Sequence, residues 1–188
     1  FRRVLFRSTT LQKAKLFHCE YEESDENPDT LWEKSFGENK INEMIKKGMS
    51  RYHAIYDINR RIAQNICNSL HCRTKLILMG LDKEGAEERL NRLMELTRQR
   101  KKETICYGSP SPEAELLINL AITEHERWIA SHELMGYTKN SKNDHVKKHH
   151  ECMVDWRDLK DDNTRSYDCN VVDTTIRMEN KKKTEQIS

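Results

Sequence analysis

Three stretches of the chain carry apolar residues at three- and four-residue intervals, the spacing of one helix face. In residues 52–72, Ile55, Ile58, Ile62, Ile66 and Leu70 form a continuous apolar line, with Asn59, Arg60 and Arg61 on the other side. Those two arginines fit a solvated face, or a contact to an anion through the planar guanidinium. In residues 84–102 the stripe is narrower, comprising Ala86, Leu90, Leu93 and Thr97. Its acids (Glu84, Glu87, Glu88) come early and its cations (Arg98, Arg100, Lys101, Lys102) late, the order a helix dipole favours, so a surface helix is predicted.

The third stretch, Ser111 to Tyr137, has both ends written into it. Ser111 can cap the first turn, Pro112 fits the first helical position, and Glu113 and Glu115 suit the positive end of the dipole. Gly136 can take the left-handed conformation that ends a helix. The result is one helix of about 24 residues, roughly 36 Å long. At about 100° per residue, Leu117, Ile118, Ala121, Ile122, Trp128, Ile129 and Met135 share a broad arc, and Asn119, Thr123, Glu126 and Glu133 the opposite one. His125 and His132 sit near the middle of the apolar arc. Burying such rings unpaired costs about 1–3 kcal/mol each. They are therefore either core histidines with satisfied nitrogens or the lining of a pocket.

Elsewhere the pattern is weaker. Leu11–Leu16 fits a helix or a strand, and Asn42–Lys47 one or two helical turns. Glu20–Asp29 is acidic and ends in Asn-Pro, a loop signature; Leu31, Trp32 and Phe36 are candidates to dock on the main body. Lys75–Met79 reads as a short strand or a last helical turn. Leu78-Met79-Gly80 and Leu134-Met135-Gly136 both close helix-like segments, a hint of a degenerate repeat. Thr104–Pro112, with Gly-Ser-Pro-Ser-Pro, marks the clearest boundary. Thr138–His150 is a polar, cation-rich loop. Asp161 or Asp162 can cap a closing helix over roughly 162–179, with Tyr167, Val171, Val172, Thr175 and Ile176 inward. Residues 180–188 read as a disordered basic tail.

These elements predict a mainly α fold of small helical domains: a helical region over 9–105, a second domain over 106–179, then the tail. Residues 1–8, FRRVLFRS, resemble a translated sequencing-adapter scar of metagenomic fragments and are set apart from the fold. The chain then reads as the C-terminal piece of a longer protein.

Composition narrows the function. The net charge is +2 with both signs interspersed, so no nucleic-acid stripe stands out. No apolar run approaches the length of a membrane span. The six cysteines form no C-x-x-C and read as reduced thiols in a cytoplasm. There is no phosphate-binding glycine loop, no H-E-x-x-H and no G-x-S-x-G. His125 and Glu126 splay apart on their helix, and Cys152 near His150 lacks an orienting group, so an enzyme is not expected. His145, His149, His150 and Cys152 match no familiar zinc spacing, and neither metal nor cofactor is expected.

His125-Glu126-Arg127-Trp128, then Gly136-Tyr137, then His150-Glu151-Cys152-Met153-Val154-Asp155-Trp156 resembles the RyR (ryanodine receptor Ry) domain. That family has an H-E-x-W helix ending in Gly-aromatic, a basic loop, a segment like H-P-C-L-V-P-[YW] and a closing helix. The likeness covers roughly residues 113–179, with Glu151 and Asp155 where the pattern has proline. The resemblance implies a short β element, at most a hairpin around Cys152–Trp156, and a bacterial ligand-sensing or regulatory domain. Its ligand pocket would be lined by His125, Trp128, His132, Tyr137, His150 and Trp156, with Lys142, Lys147 and Lys148 towards a phosphate. An adenine-type nucleotide is the first expectation, since indole and phenol rings stack on a base. Other domains of the same longer chain, and a homo-oligomer, are further expected partners. The rival reading is a structural or protein-interaction module whose aromatic cluster is simply core.

Overall fold

The chain is mainly helical, with one small two-stranded parallel sheet. The computed structural model describes residues 2–187, and the side chains of residues 9–185. The scar reading of residues 1–8 falls on side chains outside those described. Two compact units divide between Arg73 and Thr74.

The first unit holds α1 (Arg2–Tyr21), α2 (Pro28–Phe36), α3 (Glu38–Lys46) and most of α4 (Arg51–Leu78). Leu11–Leu16 is thus helical, and Asn42–Lys46 belongs to α3. The Asn-Pro pair starts a helix: the Asn27 side chain accepts the Asp29 N–H at 2.9 Å, and Pro28 takes the first helical position. Ala14, Trp32, Phe36 and Ile58 form the core, with Ile41, Met44, Ile62 and Ile66 packed against it. The apolar line of α4 is buried only through its middle, for Ile55 and Leu70 are exposed. The two arginines are half-buried rather than on a fully solvated face. Arg60 donates to Asp57 at 2.7 Å, and the Arg61 guanidinium stands 5.4 Å from the centre of the Phe36 ring.

The second unit begins with the last turn of α4, so Lys75–Leu78 is helix and not strand. It continues with α5 (Glu87–Gln99), α6 (Pro112–Leu134), β1 (Thr138–Lys139), β2 (His149–His150), a 3-10 turn (Trp156–Asp158) and α7 (Asp162–Ile187). Helices α5 and α6 both pack on α7. Met79, Leu93, Leu117, Ala121, Val172 and Ile176 lie at the centre of the core. Helix α5 is more than a surface helix, since Leu90, Leu93, Met94 and Thr97 are all buried.

Helix α6 has the ends its sequence predicts. The Ser111 hydroxyl accepts the Ala114 N–H at 3.1 Å, and Gly136 takes φ +83° just past the helix. Asn119, Thr123, Glu126 and Glu133 are exposed. Gly80 follows α4 in the same way, with φ +68°. The two Leu-Met-Gly triplets therefore share their helix-ending conformation.

The Gly-Ser-Pro linker does not divide the units. Arg100 explains why. Its guanidinium donates to the carbonyls of Lys101, Lys102 and Thr104 and to Asp173 on α7. Tyr107 is buried and donates its hydroxyl to Asp173 at 3.0 Å. The chain leaving α5 is thus strapped to α7. The β element also differs in place and kind from a hairpin at Cys152–Trp156. It is a parallel pairing of Thr138–Lys139 with His149–His150, and Trp156 starts a 3-10 turn capped by the Asp155 side chain. Asp161 caps α7 by accepting the Thr164 N–H at 2.7 Å. Helix α7 continues past Asn180, where a tail is expected, because Lys183 still reaches Glu87 at 3.4 Å and Glu179 remains buried. Tyr167 faces solvent rather than the core.

Candidate functional site

Helix α6 sets the site. His125, Trp128 and His132 recur at three- and four-residue steps, so their rings line one face. Past Gly136 the chain turns back, and Tyr137, His150 and Trp156 are delivered to the same face. The six rings make one cluster. Trp128 lies 5.8 Å from His125, 4.0 Å from His132 and 4.8 Å from His150, measured between ring centres. His132 meets Tyr137 edge to face at 5.0 Å, and Trp156 meets His125 at 5.9 Å. His145, outside the expected lining, joins through Tyr137 and His150, both at 5.9 Å.

Burial divides the cluster. His125, His132, Tyr137 and Trp156 are 3%, 0%, 2% and 7% exposed, whereas Trp128, His145 and His150 are half-buried. The buried histidines have partners inside the protein. His132 Nδ1 donates to the Trp128 carbonyl at 3.0 Å. His125 Nε2 donates to the Val154 carbonyl at 2.9 Å, and its Nδ1 lies 3.1 Å from Asp168 Oδ2. Burial works against the His125 imidazolium, but Asp168 outweighs it and raises the ring above the ordinary imidazole value. Burial also raises the Asp168 carboxyl, with His125 pulling the other way. On its helix His125 is a satisfied core residue.

The loop after α6 is tied down by its own side chains. Asp144 and His149 exchange backbone hydrogen bonds at 3.0 and 2.8 Å. Asn143 accepts the Glu151 N–H at 2.8 Å, a bond that proline at this position could not make. The three lysines are not equivalent. Lys148 donates its ammonium to the Met135 carbonyl at 2.9 Å, closing the C-terminus of α6. It also holds the left-handed backbone, φ +55°. Lys142 and Lys147 are exposed, and Lys147 lies 3.9 Å from Asp144. Among the described residues no group of His, Cys, Asp or Glu is placed to hold a metal ion. Burial raises the Cys152 thiol, the opposite of what an activated nucleophile needs.

Beside the rings lies a buried charge cluster. Glu124 is 2.7 Å from the Lys75 ammonium and accepts the Arg127 Nε–H at 2.9 Å. Burial alone would raise its carboxyl, but Lys75 and Arg127 hold it below the ordinary value. Glu124, Lys75, Asp168 and Asp173 escape a reading for apolar periodicity. One signal was present for Asp168: it stands four residues before Val172 and eight before Ile176, an acid on the apolar stripe of α7. No helix among the described residues is long and apolar enough to cross a membrane. No family model, curated protein or solved structure matches the chain.

Proposed function

We propose that residues 74–187 form a regulatory, ligand-sensing module of the RyR type, whose ligand contacts fall to Trp128, His145 and His150. The carrying observation is that the otherwise interior ring cluster reaches the surface at these three half-buried side chains, with Trp128 and His150 edge to face at 4.8 Å. Such an edge suits a planar, aromatic ligand. The exposed Lys142 and Lys147 on the adjoining loop suit a phosphate, so an adenine-type nucleotide is the first ligand to test. His125, His132, Tyr137 and Trp156 are then the scaffold of the site. The module carries no catalytic step in this reading. Its partners are the remaining domains of a longer chain, and its six free cysteines fit a cytoplasmic setting.

The rival reading is a structural or protein-interaction module. It is favoured by the complete burial of His132 and by the internal hydrogen bonds of both buried histidines. A thermal-shift screen of the purified chain against adenine mono-, di- and cyclic nucleotides separates the two. A ligand at 100 times its Kd adds about 2.7 kcal/mol of stability. A shift of several degrees with one nucleotide class, abolished by Trp128→Leu, supports the sensor. No shift with any of them sinks it, and light scattering would then test for self-association.

A further inference from the structure

The surroundings of His125 dictate its protons. Nε2 faces the Val154 carbonyl at 2.9 Å, and a carbonyl only accepts, so Nε2 carries hydrogen. Nδ1 faces Asp168 Oδ2 at 3.1 Å, and that contact also needs one proton, held by the ring or by the carboxyl. Both contacts therefore exist only while the pair keeps a proton beyond those of a neutral imidazole and a carboxylate. Remove it, and the ring has one N–H for two acceptors. Either Nδ1 presents a lone pair to Asp168, or Nε2 presents one to Val154.

These two contacts join α6 to α7 and to the segment carrying Cys152, Val154 and Trp156. We propose that His125 and Asp168 form a proton-gated clasp that holds the 152–156 segment at low pH and releases one of its ties as pH rises. This device goes beyond the ligand-sensing reading and does not depend on it. The charges around the pair come from each element that packs on it. Glu124 and Arg127 of α6 flank Asp168, Lys75 of α4 neutralises Glu124, and Asp155 lies on the clasped segment itself. Asp155 favours the imidazolium, while Glu124 raises and Arg127 lowers the Asp168 carboxyl. Trp128 stacks against the ring at 5.8 Å and 11°, which favours a cationic ring.

The sign follows from the geometry. The folded pair holds its proton more tightly than the separate groups do in the unfolded chain. Its stabilising contribution is fully present below the unfolded imidazole value and is lost as pH rises through the folded one.

The test is a pH titration of the full chain by NMR, reading the ring nitrogens of His125 and the protection factors of the Asp158 and Leu159 amides. These amides close the 3-10 turn on the Asp155 and Trp156 carbonyls at 2.9 and 3.4 Å, just beyond the clasped segment. The expected result is that both ring nitrogens are protonated at pH 6 and that His125 titrates above an unperturbed imidazole. The two amides should lose about fivefold or more in protection at the same midpoint, the effect of one lost hydrogen bond. Asp168→Asn should lower the midpoint. A ring singly protonated at pH 6 while the Asp168 carboxyl carbon reports an ionised acid, or protection that ignores the titration of the pair, overturns the proposal. The wild-type titration alone decides it should Asp168→Asn fail to fold.

Discussion

The guanidinium of Arg100, at the end of α5, donates through Nε to Asp173 on α7 at 2.7 Å, with both side chains almost wholly removed from water. Asp173 also accepts the Tyr107 hydroxyl, and a second guanidinium nitrogen donates to Asn170. Burial works against the charged guanidinium, yet Asp173 and Tyr107 raise its value and keep it cationic. Removing one member of such a pair leaves the other as an uncompensated buried charge. Asp173→Ala is expected to cost about 3–5 kcal/mol, read as a lower urea midpoint. Arg100→Lys should lose much of the same, because an ammonium cannot serve Asp173, Asn170 and three carbonyls from one planar fork. A loss below about 1 kcal/mol in both would show that the strap contributes little.

The ring cluster makes a contrasting pair of predictions. His132→Ala and Trp156→Ala each empty a buried site and should destabilise the chain by about 2–5 kcal/mol, visible in chemical denaturation and in lost near-UV dichroism. Trp128→Leu, at the half-buried edge, should cost less and act mainly on ligand binding. If His132→Ala were silent in stability and yet abolished nucleotide binding, the buried rings would be contact residues after all.

Glu124 gives a pH dependence of the opposite sense to the His125 clasp. Lys75 and Arg127 outweigh burial and hold its folded value below the unfolded one. Its stabilising contribution is therefore present above the unfolded carboxyl value and is lost as pH falls through the folded value. Glu124→Gln should cost about 3 kcal/mol at neutral pH, since Lys75 is left buried against a neutral amide. The same variant should flatten the acid limb of a stability–pH curve. An acid limb unchanged by the substitution would place that dependence elsewhere.

The lysines of the loop separate capping from ligand contact. Lys148→Ala removes the side chain that closes α6, so the melting temperature should fall by about 2–4 °C with nucleotide affinity unchanged. The double change Lys142→Ala with Lys147→Ala should leave the melting temperature alone and weaken any phosphorylated ligand. Calorimetric titration with the nucleotide that shifts the wild type checks both. Equal weakening by all three lysines would reinstate Lys148 as a phosphate contact.

Much of the site was legible in the chain. Three- and four-residue spacing puts His125, Trp128 and His132 on one face, and Gly136 turns the backbone so that Tyr137 can meet them. Helix type and the α6 cap follow equally from local pattern, since Ser111, Pro112 and Gly136 each act within one turn of their own position. The closing helix is longer than its apolar stripe, because Glu179 and Lys183 extend it through contacts that periodicity does not register.

By itself the sequence determined the mainly helical class, the ends of α6 and the rings of His125, Trp128 and His132 that α6 carries on one face. These depend on interactions between residues a few positions apart. The tertiary structure decided which rings are sealed and which reach solvent, that Lys148 caps a helix, and that the linker after α5 is bound to α7. It also decided which charges are buried together: Lys75 with Glu124, Arg100 with Asp173, His125 with Asp168. Each pair joins residues far apart in the chain, and a buried charge is tolerable only where folding brings its partner within hydrogen-bonding distance.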